Sequence, residues 1–193
     1  IRHLLHHTSG LPDYEPLMDR HWKTDLAYDD TARYTNGNAD VLKLLAELKE
    51  PVLFPPGDQW RYSNTGYNLL GTIVARASGM PFAAYLKQHI FDPAGMDRTV
   101  LYDYVPGRDP KMPDRAYGFQ LAWNGRDASP NDGHYLNRGA GEDGVYTTVG
   151  DLLKWDRILY TDKLVSRATL DEAFTPGVLN NGDTTVYGFG WYI

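Results

Sequence analysis

The chain has 193 residues, 42% of them hydrophobic, which is enough for one compact domain with a buried core over residues 1–193. Its formal net charge of -6 gives no broad positive field, so neither nucleic acid nor an anionic membrane surface is expected as a partner. The absence of cysteine excludes disulfides, thiol nucleophiles and Cys-ligated metal sites.

Neither end of the sequence has the features of a natural terminus. The chain begins at Ile1 without an initiator Met and finishes on an apolar run at 189–193. No stretch approaches the roughly 18–20 apolar residues that span a bilayer, and no basic segment leads into a short apolar run. We therefore expect an internal piece of a longer protein, in which any signal peptide would precede Ile1.

Helical periodicity is the main local signal, and it first appears at Asn38. Asn38 is the predicted N-cap of a helix that stops before Pro51. A second helix is predicted over 65–77, where Gly79 suits the left-handed residue that ends it. A third is predicted to begin at Pro81 and, because proline cannot continue a helix, to stop before the next proline, Pro93.

The second half of the chain mixes irregular stretches with capped helices. Residues 102–137 are rich in Pro, Gly, Asp and aromatics, and only 116–123 alternates like a strand. Thr148-Val149-Gly150-Asp151 is a predicted capping box that begins a fourth helix. Ser166 is the predicted cap of a fifth helix through Phe174, and 187–193 is predicted to start a strand. The sequence thus predicts a helix-rich α+β fold.

The segment Tyr62-Ser63-Asn64 presents two polar groups from a rigid frame, because it follows the turn at Pro55-Pro56-Gly57 and precedes a helix. In an extended segment, side chains two residues apart lie on the same side, so the phenol and the carboxamide would form a donor–acceptor pair. Ser63 would face away and bond to backbone. A structural alternative is that Asn64 caps the following helix and Tyr62 packs on it.

The sequence surrounding this triplet resembles that of class C β-lactamases, DD-peptidases and related esterases of the serine β-lactamase family. The resemblance keeps the family's order and includes His6 where the family has Thr; the matching segments are 1–12, 54–71, 91–96, 139–148 and 187–191. It implies a helix-rich α+β fold, the helical domain of the β-lactamase/transpeptidase-like fold with most of the central sheet missing. It also implies that Tyr62 is a proton relay and that Asn64 hydrogen-bonds the substrate amide and a lysine.

Two of the family's three motifs are absent from the sequence. The family uses Ser-x-x-Lys, Tyr-x-Asn and Lys-Thr-Gly or His-Thr-Gly. None of the seven lysines follows a serine by three positions, and no Lys/His-Thr-Gly triplet follows Trp191. We therefore expect the nucleophile upstream of Ile1 and the third motif downstream of Trp191.

The expected role of Tyr62 sets an electrostatic condition. A free tyrosine titrates near pH ~10, and a base near neutrality needs a pKa roughly 3 units lower, which is about 4 kcal/mol of differential stabilisation. Nearby cations must provide it, and Arg61 lies on the opposite side of an extended segment. The cations would be the lysines of the missing motifs, so the chain alone is expected to be catalytically silent.

The resemblance implies an enzyme that forms an acyl-enzyme with a β-lactam, a D-Ala-D-Ala peptide or an ester, without cofactor or metal. It also implies a periplasmic, secreted or membrane-anchored protein. A second hypothesis is a catalytically dead relative that binds or regulates. A third is a metal-binding domain, because a helix would place His3 and His7 at i and i+4, with His6 and Asp13 nearby.

The remaining polar and aromatic candidates have structural explanations. Ser9 lacks the lysine that a serine nucleophile would need. Glu142 and Asp143 fit turn and solvent-facing roles better than acid–base catalysis. Four aromatic residues fit equally the rim of a substrate cleft or the packing of a long loop; they are Tyr14, Trp22, Tyr28 and Tyr34.

Overall fold

A computed structural model describes residues 1–21, 37–102, 114–122, 124–130 and 139–193. The helices, in chain order, are α1 (Arg2–Leu5), α2 (Tyr14–His21), α3 (Asn38–Leu48), α4 (Asn64–Ser78), α5 (Phe82–Leu86), a π-helical turn (Lys87–Phe91), α6 (Asp92–Ala94), α7 (Val149–Ile158) and α8 (Arg167–Ala173). The strands are β1 (Val100–Leu101), β2 (Phe119–Leu121), β3 (Ala128–Pro130) and β4 (Val145–Tyr146). The helix-rich α+β prediction is confirmed.

Sheet structure in the described ranges is limited to two antiparallel pairs. In the first, β1 pairs with β4, and Val100 lies opposite Tyr146. In the second, β2 pairs with β3, and Gln120 lies opposite Ser129. The predicted strand at 116–123 is therefore confirmed in its centre, whereas β3 was not predicted. Trp123 and residues 103–113 and 131–137 of the predicted irregular stretch lie outside the described residues.

The hydrophobic core lies between α2 and α3. Its buried members are Tyr14, Leu17, Met18, Val41 and Leu44. Of the two interpretations of Tyr14, packing of a long loop is wrong, because Tyr14 is the first residue of α2. Just before that helix, the Asp13 carboxylate accepts the N–H of Glu15 at 3.1 Å, as a capping residue does. Trp22, Tyr28 and Tyr34 lie outside the described residues.

The prediction that Asn38 caps α3 is wrong. Gly37 occupies the N-cap position, and Asn38 is the first helical residue. The Asn38 amide instead bonds to other parts of the fold: its Nδ2 donates to the carbonyl of Ala140 at 2.8 Å, and its Oδ1 accepts from Asn68 Nδ2 at 3.0 Å. A partly buried amide is more stable with such tertiary partners, since water cannot satisfy it there.

The third predicted helix continues past Pro93, so its predicted end is wrong. A π-helical turn at Lys87–Phe91 precedes α6, and Pro93 lies at the start of that short helix, where a missing N–H is tolerated. The wider turn lets the helical path continue where regular α geometry would set the proline ring against a preceding carbonyl. The chain then ends the helix at Gly95, whose φ is 69°.

Other helix boundaries agree with the sequence. Gly79 ends α4 in the left-handed conformation, and Ser166 Oγ accepts the Thr169 N–H at 3.2 Å at the start of α8. The strand predicted at 187–193 is wrong: an isolated bridge pairs Tyr187 with Tyr192. Gly190, with φ of 82°, turns the chain between them.

No single helix in the described part of the chain is long and apolar enough to cross a membrane; the bent pair Asn64–Ser78 and Phe82–Ala94 meets the length and composition criteria only jointly.

The capping box predicted at α7 forms only in part: Thr148 caps the helix as predicted, but the Asp151 side chain does not bond back to Thr148. Thr148 Oγ1 accepts the Asp151 N–H at 3.2 Å. The Asp151 carboxylate, however, turns to the chain before β1, where it accepts the Arg98 N–H at 2.8 Å and the Thr99 hydroxyl at 2.9 Å. Lys154 lies 2.9 Å from its other oxygen. Burial opposes ionisation of Asp151, but these hydrogen bonds prevail and hold its pKa below the ordinary value.

We expect Asp151→Ala to lower the free energy of unfolding by about 3 kcal/mol, because it removes the buried carboxylate that accepts from the Arg98 N–H and the Thr99 hydroxyl and that pairs with Lys154. Urea unfolding followed by circular dichroism measures this. Asp156→Ala, an exposed position on the same helix, is the control and should change stability by no more than about 0.5 kcal/mol. Equal effects of the two substitutions would show that the Asp151 bonds do not anchor α7.

Candidate functional site

The triplet Tyr62-Ser63-Asn64 lies where an extended segment enters α4. Ser63 has φ of −151° and ψ of 115°, and Asn64 is the first residue of the helix. Tyr62 is 44% exposed, whereas Ser63 is 3% exposed, which agrees with the predicted alternation of side chains. The prediction that Ser63 bonds to backbone through its side chain is wrong, since its buried Oγ has no hydrogen-bond partner among the described residues.

The ring of Tyr62 packs against the rings of His7 and Tyr187. Its ring centroid lies 4.2 Å from that of His7, with the planes inclined by 32°. Tyr187 meets it edge-on, with 6.2 Å between the centroids. The phenol ring is therefore held on one side by packed rings while the residue stays partly open to solvent.

His7 supports the triplet through both backbone and side chain. It is 2% exposed and has a left-handed backbone with φ of 57°. Its Nδ1 accepts the Ser63 N–H at 3.2 Å, and its carbonyl accepts the Arg61 N–H at 2.9 Å. Burial lowers the pKa of His7 to about 4, so the imidazole is neutral at physiological pH.

The geometric premise of the metal hypothesis fails. Helix α1 ends at Leu5, so His3 and His7 do not share a helical face. Nδ1 of His3 lies 3.0 Å from the Thr8 hydroxyl, and Nδ1 of His6 lies 3.0 Å from the carbonyl of residue 187. Across the described ranges, no three His, Asp or Glu side chains are arranged to hold a metal ion.

Carboxylates surround the start of α4. The Asn64 N–H donates to Asp13 Oδ2 at 2.8 Å, so Asp13 satisfies a free amide at the positive end of the helix dipole. Asn64 itself is inside the helix and does not cap it. Its Nδ2 donates to Glu15 Oε1 at 3.2 Å. Because Glu15 takes the amide nitrogen, the Asn64 Oδ1 faces elsewhere and accepts no hydrogen bond from the described residues.

Glu142 and Asp143 extend this acidic region. The expectation that Glu142 faces solvent is wrong, because its Oε1 accepts the Tyr14 hydroxyl at 2.7 Å and Asn68 Nδ2 at 3.3 Å. Burial raises its pKa. Asp143 is exposed as a residue, as expected for this turn, yet its carboxyl group is partly desolvated; that burial, together with the charge of Glu15, raises its pKa to about 6.

The surroundings oppose ionisation of Tyr62. Burial raises its pKa first, followed by the charges of Tyr192, Asp13, Glu142 and Glu15. All four of these charges are negative when the groups are ionised. Tyr62 is therefore a hydrogen-bond donor in this environment, and it lacks the positive neighbours that would make it a base.

The sequence pattern singled out Tyr62 and Asn64 as candidates, whereas His7 was considered only as a metal ligand. The nitrogen that matters bonds to Ser63, 56 residues away in sequence. No local sequence pattern indicates this contact, because burial of His7 and its bond to Ser63 arise only in the folded chain.

Comparison with known proteins covers the whole chain. The Beta-lactamase family matches residues 1–193. A penicillin-binding protein of Bacillus subtilis (strain 168) is 37% identical over 200 residues, which cover 100% of this chain and 42% of that protein.

Solved structures agree. The crystal structure of a penicillin binding protein from Bacillus halodurans superposes with a TM-score of 0.70 at 28% identity, covering 97% of this chain and 54% of that one. D-amino acid amidase from Ochrobactrum anthropi SV3, complexed with D-phenylalanine, gives a TM-score of 0.67 at 26% identity, covering 98% and 53%. The chain thus spans about half, or less, of the length of these proteins.

The family match over residues 1–193, the relative at 37% identity and the shared fold all lead to one assignment: this chain belongs to the Beta-lactamase family of serine β-lactamases and penicillin-binding proteins.

Proposed function

We propose that the chain is the helical-domain portion of a serine hydrolase that forms an acyl-enzyme with a β-lactam, a D-Ala-D-Ala peptide or an ester. The observation that supports this most is the position of Tyr62 and Asn64 two residues apart where the extended segment enters α4, with Tyr62 partly open to solvent and its ring packed against His7. The names of the relatives, penicillin-binding protein and D-amino acid amidase, point to carbonyl substrates of the same kind.

In this proposal Tyr62 is the proton relay. A serine supplied by the rest of the protein attacks the substrate carbonyl, and the Tyr62 phenolate accepts its proton and passes it to the leaving group. Water then hydrolyses the acyl-enzyme: Tyr62 accepts the water proton and returns it to the serine oxygen, which leaves the acyl group as a free hydroxyl. Backbone amides outside this chain would stabilise the oxyanion. No cofactor or metal takes part.

Asn64 is the proposed substrate-binding residue. Its Nδ2 is engaged by Glu15, which leaves Oδ1 as an acceptor. An acceptor here suits either the N–H of a substrate amide or the ammonium of the nucleophile's lysine. The carboxylates around it add negative potential, which favours a cation at this position.

The electrostatics support catalytic silence of residues 1–193 alone. A Tyr62 base requires a pKa lowered by roughly 3 units, whereas burial and nearby carboxylates raise it. The chain also has no serine followed three residues later by lysine. Both the nucleophile and the cations therefore belong to the remainder of the whole protein, which we expect to be periplasmic, secreted or membrane-anchored.

A catalytically dead relative that binds or regulates is the competing hypothesis, and the observation behind it is that only one of the three motifs lies in this chain. The two hypotheses differ in covalent chemistry. An intact enzyme becomes acylated by a β-lactam, whereas a dead relative retains no label after denaturation.

We expect the whole protein to be labelled covalently by a fluorescent penicillin, and Tyr62→Phe to slow the acylation rate by about 10²- to 10⁴-fold, because the proton relay is lost. Time-resolved labelling read on a denaturing gel measures this. Tyr160→Phe removes the same hydroxyl from a residue that is 76% exposed and should leave the rate unchanged. If neither a fluorescent penicillin nor a fluorophosphonate labels the wild-type protein, the proposal is contradicted.

A second expectation concerns the ionisation of Tyr62. A free tyrosine ionises near pH ~10. In the 193-residue chain the Tyr62 pKa is raised, so its phenol should ionise above that pH. In the whole protein, nearby lysines should lower the Tyr62 pKa well below that value. An ultraviolet difference titration of wild type against Tyr62→Phe isolates this group, with Tyr160→Phe as reference. Identical Tyr62 curves in the two forms would argue against the relay role while leaving a hydrolase with another base open to the labelling test.

A further inference from the structure

We infer that His7 is a positioning residue for Tyr62: by backbone and imidazole contacts it fixes the segment on which Tyr62 is presented. The inference rests on the proposed function, since only there does Tyr62 act in catalysis. Three contacts converge on His7. Its carbonyl accepts the Arg61 N–H at 2.9 Å, its Nδ1 accepts the Ser63 N–H at 3.2 Å, and its ring lies 4.2 Å from the ring of Tyr62.

These contacts act on alternate residues of an extended segment. In such a segment the N–H groups of residues 61 and 63 point to the same edge, where a neighbouring strand would offer two carbonyls. His7 offers one carbonyl and one ring nitrogen in their place. Its left-handed backbone, with φ of 57°, turns the chain away, and the imidazole supplies the second acceptor. Tyr62 is thus held on both of its flanking residues and on its ring.

The role requires a neutral imidazole, because a protonated Nδ1 cannot accept a hydrogen bond. The groups packed around the ring are aromatic: Trp60, Tyr62, Tyr67 and Tyr187. Burial among them lowers the pKa of His7 to about 4, and the charge of His6 adds to this shift. The acceptor is therefore present throughout the neutral range.

Loss of this support should affect turnover more than binding. Misplacement of a reacting group by about 1 Å costs on the order of 10²-fold in rate. Asn64 and its carboxylate partners do not contact the imidazole through any hydrogen bond in the described structure, so substrate binding should be altered less. A residue that served stability alone would not separate the two quantities.

The test uses the whole protein and a fluorescent penicillin, with the acylation rate constant and the noncovalent dissociation constant measured separately. His7→Ala removes the acceptor and the ring, and it should lower the rate constant by about 10²-fold with a dissociation constant changed by less than about threefold. His7→Asn keeps an acceptor and tolerates a left-handed backbone, so it should stay within about tenfold of wild type, the loss reflecting the ring contact. His89→Ala, at an exposed histidine of the π-helical turn, is the matched control and should match wild type.

The outcomes separate this inference from the proposed function. Wild-type acylation by folded His7→Ala, together with a slow Tyr62→Phe variant, would overturn the role of His7 and leave the hydrolase intact. Equal losses in His7→Ala and His7→Asn would overturn the hydrogen-bond mechanism. If His7→Ala does not fold, His7→Asn alone tests the inference. An acylation rate constant of folded His7→Asn below about a hundredth of the wild-type value would contradict it. An unlabelled wild-type protein overturns both proposals.

Stability against pH gives an independent reading of the buried, neutral His7. Its folded pKa of about 4 lies below the ordinary 6.5, so the unfolded chain binds more protons between these values. Acidification from pH 7 to 4 should therefore shift the folding equilibrium toward the unfolded state by roughly 100-fold through this group. Glu142 and Asp143 have raised pKa values and act in the opposite sense. The difference between wild type and His7→Asn isolates His7, and a difference that does not change with pH would contradict a buried neutral imidazole.

Discussion

The placement of the candidate site depends on hydrogen bonds that join segment 7–10 to the loop 53–63. Three of them are backbone bonds, from Leu53 N–H to Gly10, from Gly57 N–H to Thr8 and from Arg61 N–H to His7. The segments must approach closely: a Cβ on Gly10 would lie 2.1 Å from the carbonyl oxygen of Phe54, and its φ of 73° also favours glycine. This contact sets the direction in which the chain enters α4, and therefore which side chains face outward at 62 and 64.

Local signals in the sequence predicted most helices of the fold because periodicity and caps act within a few residues. The caps at Thr148 and Ser166 depend on neighbours three positions away and were found. Asn38 was misassigned because its amide bonds across the fold to residues 68 and 140, which no local rule includes. The end at Pro93 was misassigned for a related reason, since a π-helical turn relieves the constraint that proline normally imposes.

The site was predictable to the extent that its geometry is local. Alternation along an extended segment placed Ser63 inward and Tyr62 outward. The hydrogen bond from Ser63 to His7 was not predictable, because the two residues are 56 positions apart in the sequence. The spacing of His3 and His7 at i and i+4 suggested only a metal site. The hydrogen bond of Asn64 was not predictable from the sequence either. Its Nδ2 donates to Glu15, and this contact leaves the Asn64 Oδ1 available as a hydrogen-bond acceptor.

In the proposed enzyme, the carboxylates on this side of the site would favour a positive charge on the side that the rest of the protein provides. Asp13 and Glu15 hold the backbone and side chain of Asn64, and Glu142 lies near enough to oppose ionisation of Tyr62. The same negative field that disfavours a phenolate favours an ammonium group, because the interaction changes sign with the charge. A lysine entering from the rest of the protein would be stabilised by these carboxylates and would in turn stabilise the phenolate. The acidic framework that makes Tyr62 a poor base in isolation is thus the feature that would hold the cations a base requires.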